Sequence, residues 1–258
     1  MQNDQPSRSP IKAIPLHNPG QSLEARRDAF LLDRVLLWGM VAAFAILFAL
    51  IEYLRWQFRI PPQPVVGLCV AISVCALSAF QIRRAWPTIR RLNRGLEGER
   101  AVGQFLEEMR RDGYRVLHDI EGDRFNVDHV LIGPAGVFVI ETKTVSKTPD
   151  SGDTKYDGQR VVVSGHSPDR DPIAQVKALC DHIRDIIHAN TGKRPPMRGV
   201  VLYPGWYVQP QPKGVQVWVL NPKALPPFVR NEPVVLPDSD VRLIAGALEA
   251  HVRWREAQ

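Results

Sequence analysis

Residues 127–143 read VDHVLIGPAGVFVIETK, and this stretch decides the fold. Val127–Ile132 and Val137–Thr144 are apolar runs with the length and β-branched content of strands, and GPAG at 133–136 is a turn signal in which Pro and Gly set the backbone. If Ile132 and Val137 close the hairpin over a four-residue loop, a regular antiparallel ladder puts Asp128 opposite Glu141. The alternation of strand side chains then places Lys143 on that same face. A bulge would shift this register. Both faces are otherwise apolar: Val130, Ile132, Val137 and Val139 share the carboxylate face, and Leu131, Phe138 and Ile140 the other. A sheet covered on both sides follows, with charge gathered at one rim.

Two carboxylates at such a rim repel each other unless a positive group sits between them. Their hard oxygens suit Mg²⁺, with Mn²⁺ an alternative ion, and Mg²⁺ keeps waters and favours phosphate-bearing substrates. An ion there would activate a water and neutralise charge on a phosphate, with Lys143 as a second positive group. The competing reading is a structural ion pair at a sheet edge, worth little if exposed. His129 alternates away from Asp128 and reads as a packed residue before it reads as a ligand. Trp206 and Tyr207, in LYPGWYV, could stack a base or pack a loop.

Outward from the hairpin, GLEGERAVGQFLEEMRRDG at 95–113 predicts a helix starting at Gly95, with Val102, Phe105, Leu106 and Met109 in one stripe and Gly113 as its stop. Tyr114–Ile120 and Gln159–Ser164 read as strands. Asp171 caps a helix that opens on Pro172, carries Ile173, Val176, Leu179, Ile183 and Ile186 on one face, and ends at Asn190 and Gly192. RGVVLYP and VQVWVL are further strands, and Val241–Trp254 a closing helix. The pattern predicts one α/β domain over 95–258.

The N-terminal part differs in kind. Val35–Ile51 is 17 residues without a charge and Val65–Ile82 another 18, each enough to span a bilayer once its flanks are included. A buried soluble hairpin is the alternative, and a cleaved signal peptide fits poorly because 34 residues precede the first run. Arg8, Lys12, Arg26, Arg27 and Arg34 precede the pair and Arg83, Arg84, Arg90, Arg91 and Arg94 follow it, whereas only Arg55 and Arg59 lie between. The positive-inside rule therefore predicts a multi-pass protein of the inner (plasma) membrane, both termini and the α/β domain cytoplasmic. Residues 1–28 read as a disordered tail and 29–94 as the two-span hairpin with a basic connector. Residues 1–94 hold 12 Lys and Arg against 5 Asp and Glu, and residues 95–258 hold 21 against 22, so the excess positive charge belongs to topology. Cys69, Cys75 and Cys180 imply neither a disulfide framework nor a structural zinc site.

GLEGE at 95–99, NVDH at 126–129, GPAGVFVIETK at 133–143 and DPIAQV at 171–176, in that order, resemble the nuclease-related domain, NERD, of the PD-(D/E)XK nuclease superfamily. The resemblance covers about residues 95–190. It implies a restriction-endonuclease-like α/β core, a mixed sheet flanked by helices and preceded here by two transmembrane helices, that hydrolyses phosphodiesters of nucleic acid, DNA before RNA, with Mg²⁺. Carried over by position, Asp128 and Glu141 would be metal ligands with the Thr142 backbone carbonyl a third, and Lys143 would orient or activate the water. Glu99 would bind through water or a second metal, and Gln175 matches the Gln that follows the motif strand. Glu99 could instead be a solvated helix residue, and Gln175 a local hydrogen-bonding group. A nuclease-like fold kept as an inactive binding or scaffold module at the membrane is the competing function. A channel is disfavoured, because two spans without polar pore residues offer no pathway.

Overall fold

A computed structural model describes residues 18–58, 64–122, 126–148 and 150–256. The expected tail over 1–17 with Arg8 and Lys12, and Arg59 of the inter-helix link, lie outside the described residues. Two compact units divide the chain: Ser22–Glu97, and Gly98–Gln258 together with the described residues before Ser22.

Helix α1 (Gln21–Leu31) passes through a π-helical turn (Leu32–Leu36) into α2 (Leu37–Gln57), and α3 (Pro64–Glu108) follows, its residues from Gly98 onward belonging to the second unit. Helix thus begins inside the stretch expected to be disordered to residue 28. The Asn18 N–H donates to Gln21 Oε1 at 3.0 Å, the Gln21 N–H donates to Asn18 O at 3.1 Å, and the helix formers Glu24–Arg27 carry the turn onward. Helix α3 meets α2 where a Cβ on Gly67 would lie 3.2 Å from Glu52 Cβ and where Cys75 Sγ lies 3.9 Å from Ala42 O; Ala71, Ser78 and Ala85, seven apart on α3, are buried. Phe44, Leu47, Leu68 and Phe80 are exposed. Both helical stretches are long and apolar enough to cross a bilayer.

Helix α3 does not restart at Gly95 as expected; it runs unbroken through the basic connector to Glu108. An isolated Gly costs a helix only about 1 kcal/mol, and the Arg, Leu, Glu and Ala around Gly95 and Gly98 sustain it.

The second unit contains β1 (Arg115–Glu121), β2 (Asn126–Gly133), β3 (Gly136–Thr142), β4 (Thr154–Tyr156), β5 (Val161–Val163), α4 (Pro172–Thr191), β6 (Met197–Leu202), β7 (Val217–Leu220), α5 (Leu225–Arg230) and α6 (Asp238–Glu256). Strand β4 and helix α5 escaped the sequence reading. TKY carries no apolar period, and LPPFVR reads as loop until its prolines prove to occupy the first helical turn, where a missing N–H costs nothing. Five strands form one mixed sheet in the order β1-β2-β3-β6-β7. The pairs β1–β2 and β2–β3 are antiparallel; β3–β6 and β6–β7 are parallel. This is the restriction-endonuclease-like α/β architecture that the motifs implied.

The central hairpin keeps the expected register, with His129 facing Ile140 and Ile132 facing Val137. Its turn is tighter than expected, because Gly133 pairs with Gly136 and leaves only Pro134 and Ala135 in the loop. Gly136 sits at φ +124, and an added Cβ would lie 2.6 Å from Pro196 O. Each face then buries its own layer. Val130, Ile132, Val137 and Val139 pack with Val176 and Ile183 of α4 and Ile244 and Leu248 of α6. Leu131, Phe138 and Ile140 pack with Val102 and Leu106 of α3 and Leu225 and Val229 of α5.

Helix α4 comes close to the sheet at Gly199, where an added Cβ would lie 3.0 Å from Val176 Cγ1 and 3.4 Å from Cys180 Sγ. Gly199→Val should therefore overpack this seam and lower stability by about 1–3 kcal/mol, read as an earlier midpoint in denaturant titration of the intact protein.

Candidate active site

Helix α4 starts where it does because the Asp171 side chain accepts the Ile173 N–H at 2.9 Å and Pro172 occupies the first turn. That start aims Gln175 at the end of β3. Glu141, 5 % exposed, presents Oε1 to two donors, Lys143 Nζ at 2.7 Å and Gln175 Nε2 at 2.6 Å. Lys143 Nζ also donates to Gln175 Oε1 at 2.8 Å, so the three side chains close a triangle. Asp128, buried on the neighbouring strand, accepts the Thr142 N–H on Oδ2 at 2.6 Å. The hairpin thus brings Asp128, Glu141, the Thr142 peptide and Lys143 together, and α4 delivers Gln175 to the same place.

Glu99 arrives from α3. A Cβ on Gly98 would lie 1.9 Å from Thr144 Cγ2, so only glycine lets the helix pass this close to the chain leaving β3. Glu99 ends near enough to Asp119, Glu141 and Lys143 for their charges to act on it, and burial foremost pushes its carboxyl up to about 7. Burial, then the negative charges of Glu141 and Glu99, hold the Asp128 carboxyl well above the usual range, against the opposing Thr142 N–H and Lys143. Several polar atoms of this cluster are buried with no hydrogen-bond partner: Glu99 Oε2, Glu141 Oε2 and Thr142 Oγ1.

Two residues here carried no sequence signal. Asp119 is fully buried at φ +53, accepts a hydrogen bond from Asn126 Nδ2 at 2.7 Å and bears on Glu99. In the sequence it is one polar letter in an ordinary strand. Tyr203, the residue after β6, has a buried hydroxyl lacking a partner, its pKa raised by burial and by Asp171 and Glu141. His129, by contrast, lies apart from the cluster: its Nδ1 is 2.9 Å from His118 Nδ1, and His118 Nε2 is 2.9 Å from Glu107 Oε1. Burial pushes both imidazoles down toward the neutral form.

Among the described residues, no group of three His, Cys, Asp or Glu side chains forms a metal cage. A metal here would rest on Asp128, Glu141 and a backbone carbonyl, with Glu99 beyond them.

A family model described as nuclease-related domain matches residues 94–204. An uncharacterized protein of Bacillus anthracis is 38% identical over 55 residues, which is 19% of this chain and 26% of that protein. The chain therefore spans about a quarter of that relative's length. No solved structure matches the chain.

The raised Glu99 carboxyl has a consequence for stability. Between its ordinary value of 4.5 and about 7 the folded state binds more protons than the unfolded one, so stability falls as pH rises through that window. Without added metal, thermal unfolding followed by tryptophan fluorescence should give a lower Tm at pH 7 than at pH 5, and Glu99→Gln should flatten that slope.

Proposed function

We propose, from the premise that residues 94–204 are a nuclease-related domain, that this protein is a membrane-anchored, metal-dependent nuclease that hydrolyses phosphodiester bonds at the cytoplasmic face. The observation that carries the reading is the closed set of Glu141, Lys143 and Gln175 beside Asp128. A buried carboxylate with one oxygen committed to two donors and the other left without a partner is arranged to bind something further.

The donor set fits Mg²⁺ or Mn²⁺. It is all oxygen, and a cation would offset the burial, and after it the neighbouring carboxylate charge, that lift Asp128. Asp128, Glu141 and the Thr142 carbonyl would hold the ion, which when bound supplies positive charge to acidify a water and to stabilise a phosphate. Lys143 stands 2.7 Å from Glu141, where its ammonium can orient the attacking water or meet the developing charge. Gln175 fixes both partners by donating to one and accepting from the other. Glu99, raised toward neutrality, can hold or release a proton near pH 7.

Anchoring rests on the two apolar helices and on charge. Arg34 of the first and Arg84 of the second line one cleft, with Arg26, Arg27, Arg90 and Arg91 close in sequence, so the basic residues gather at one end of the hairpin. That end faces the cytoplasm under the positive-inside rule.

Full-length protein in detergent should cleave DNA or RNA with Mg²⁺ and stop with EDTA. Asp128→Asn and Lys143→Ala should each slow cleavage by about a hundredfold or more; variants as fast as wild type would remove the assignment. In calorimetry, Mn²⁺ should bind more tightly at pH 8 than at pH 6, because the ligands must lose protons, and Glu141→Ala should abolish the signal.

A further inference from the structure

Beyond the C-terminal ends of β3, β6 and β7 lies a groove of about 600 Å³, within the size range of small-ligand sites. Phe105, Lys147, Trp206, Tyr207, Pro222 and Lys223 line it. Its lining includes two lysines and no acidic residue, although residues 95–258 hold slightly more acidic than basic side chains. The groove adjoins the carboxylate cluster along the chain: the segment leaving Lys143 leads to Lys147, and Ala101, two residues after Glu99, forms part of the wall.

The aromatic pair at 206–207 is built unequally. Trp206 is 2% exposed, its Nε1 donates to Val145 O at 3.1 Å, and its carbonyl accepts from Asn221 Nδ2 at 2.7 Å. Tyr207 has its carbonyl fixed by the Thr154 N–H at 2.9 Å, yet its side chain is 61% exposed. A rigid backbone thus presents an unburied ring. Lys147 Nζ lies 5.5 Å above the Trp206 ring and donates to Gly205 O at 3.3 Å, which holds one positive charge over the groove. Lys223, also in the lining, is exposed.

A partner for this surface must bring a flat apolar face together with negative charge. An unpaired nucleotide does both, since a base offers a π-face to an aromatic ring while its phosphates meet lysines. A base inside a duplex is stacked on its neighbours and offers only its edge.

We propose that this groove is a subsite for an unpaired nucleotide of a single-stranded nucleic acid, the base stacking on Tyr207 and the adjoining phosphates meeting Lys147 and Lys223. The proposal rests on the nuclease reading and narrows its substrate to single strands or frayed ends. Binding in EDTA separates recognition from cleavage. Fluorescence anisotropy of full-length protein in detergent would compare labelled oligothymidylate, oligouridylate, a blunt DNA duplex and an abasic strand of equal charge. The single strands should bind at least about tenfold more tightly than the duplex or the abasic strand, Tyr207→Ala should remove about that factor, and Tyr207→Phe should keep it. Lys223→Ala should reduce the salt dependence by about 0.7 in the log–log slope, the share of one phosphate. Duplex binding as tight as single-strand binding, or Tyr207→Ala within about twofold of wild type, would overturn the proposal. Loss of cleavage in Asp128→Asn alongside unchanged binding in Tyr207→Ala would sink the groove alone. No binding to any strand and no cleavage would sink both readings.

Discussion

Burying Glu141 at the end of a central strand is the constraint around which the α/β unit is arranged. An isolated carboxylate at that depth would give up its charge or destabilise the fold. Lys143, two positions on along the strand, supplies the compensating charge, and Gln175 supplies a second donor from a different layer. Because Gln175 also accepts from Lys143, the ammonium is held on two sides and has little freedom to swing into solvent. Oε2 of Glu141 is outside this settlement, and burial beside it raises the neighbouring Asp128 and Glu99 carboxyls, so ionising either one meets opposition. The balance is local and incomplete, which is how sites for cations or reacting groups differ from structural ion pairs.

Two close helix approaches make that balance geometrically achievable. Gly199 lets α4 settle onto β6 so that Gln175 reaches Glu141, and Gly98 lets α3 cross the chain at Thr144 so that Glu99 joins from the other side. The hydrophobic layers do the coarse work, with Val176 and Ile183 on one face and Val102 and Leu106 on the other. Glycines at the seams decide how near the polar side chains come. A bulkier residue would leave the layers formed and the cluster apart.

Much of this was legible in residues 127–143. Period-two alternation assigned both faces of the hairpin, and the register through His129–Ile140 leaves Asp128 and Glu141 at adjoining ladder ends. The cap Asp171 and the stop Gly192 marked α4 within a residue. What escaped did so for physical reasons. Strand β4 is three residues held by pairing with β5 and carries no periodic signal of its own. The unbroken α3 defeats a reading in which glycine and a basic run mark a boundary, because helix continuity follows the sum of many weak preferences. Asp119 and Tyr203 enter the cluster through a left-handed turn of backbone and a long-range strand neighbour. Neither leaves a local pattern.

The turn of the central hairpin has one further bearing. The Pro134 carbonyl accepts the N–H groups of Val235 at 2.8 Å and Leu236 at 2.9 Å, and Leu236 is buried just before α6 begins. The segment leading into α6 is therefore latched to the hairpin at the end remote from Asp128 and Glu141. A change confined to residues 231–237 would be taken up at that latch, whereas Trp206, Asn221 and β7 tie the earlier part of this stretch in beside the acidic end. One hairpin thus carries the fold's closure at its turn and its acidic cluster at its open end.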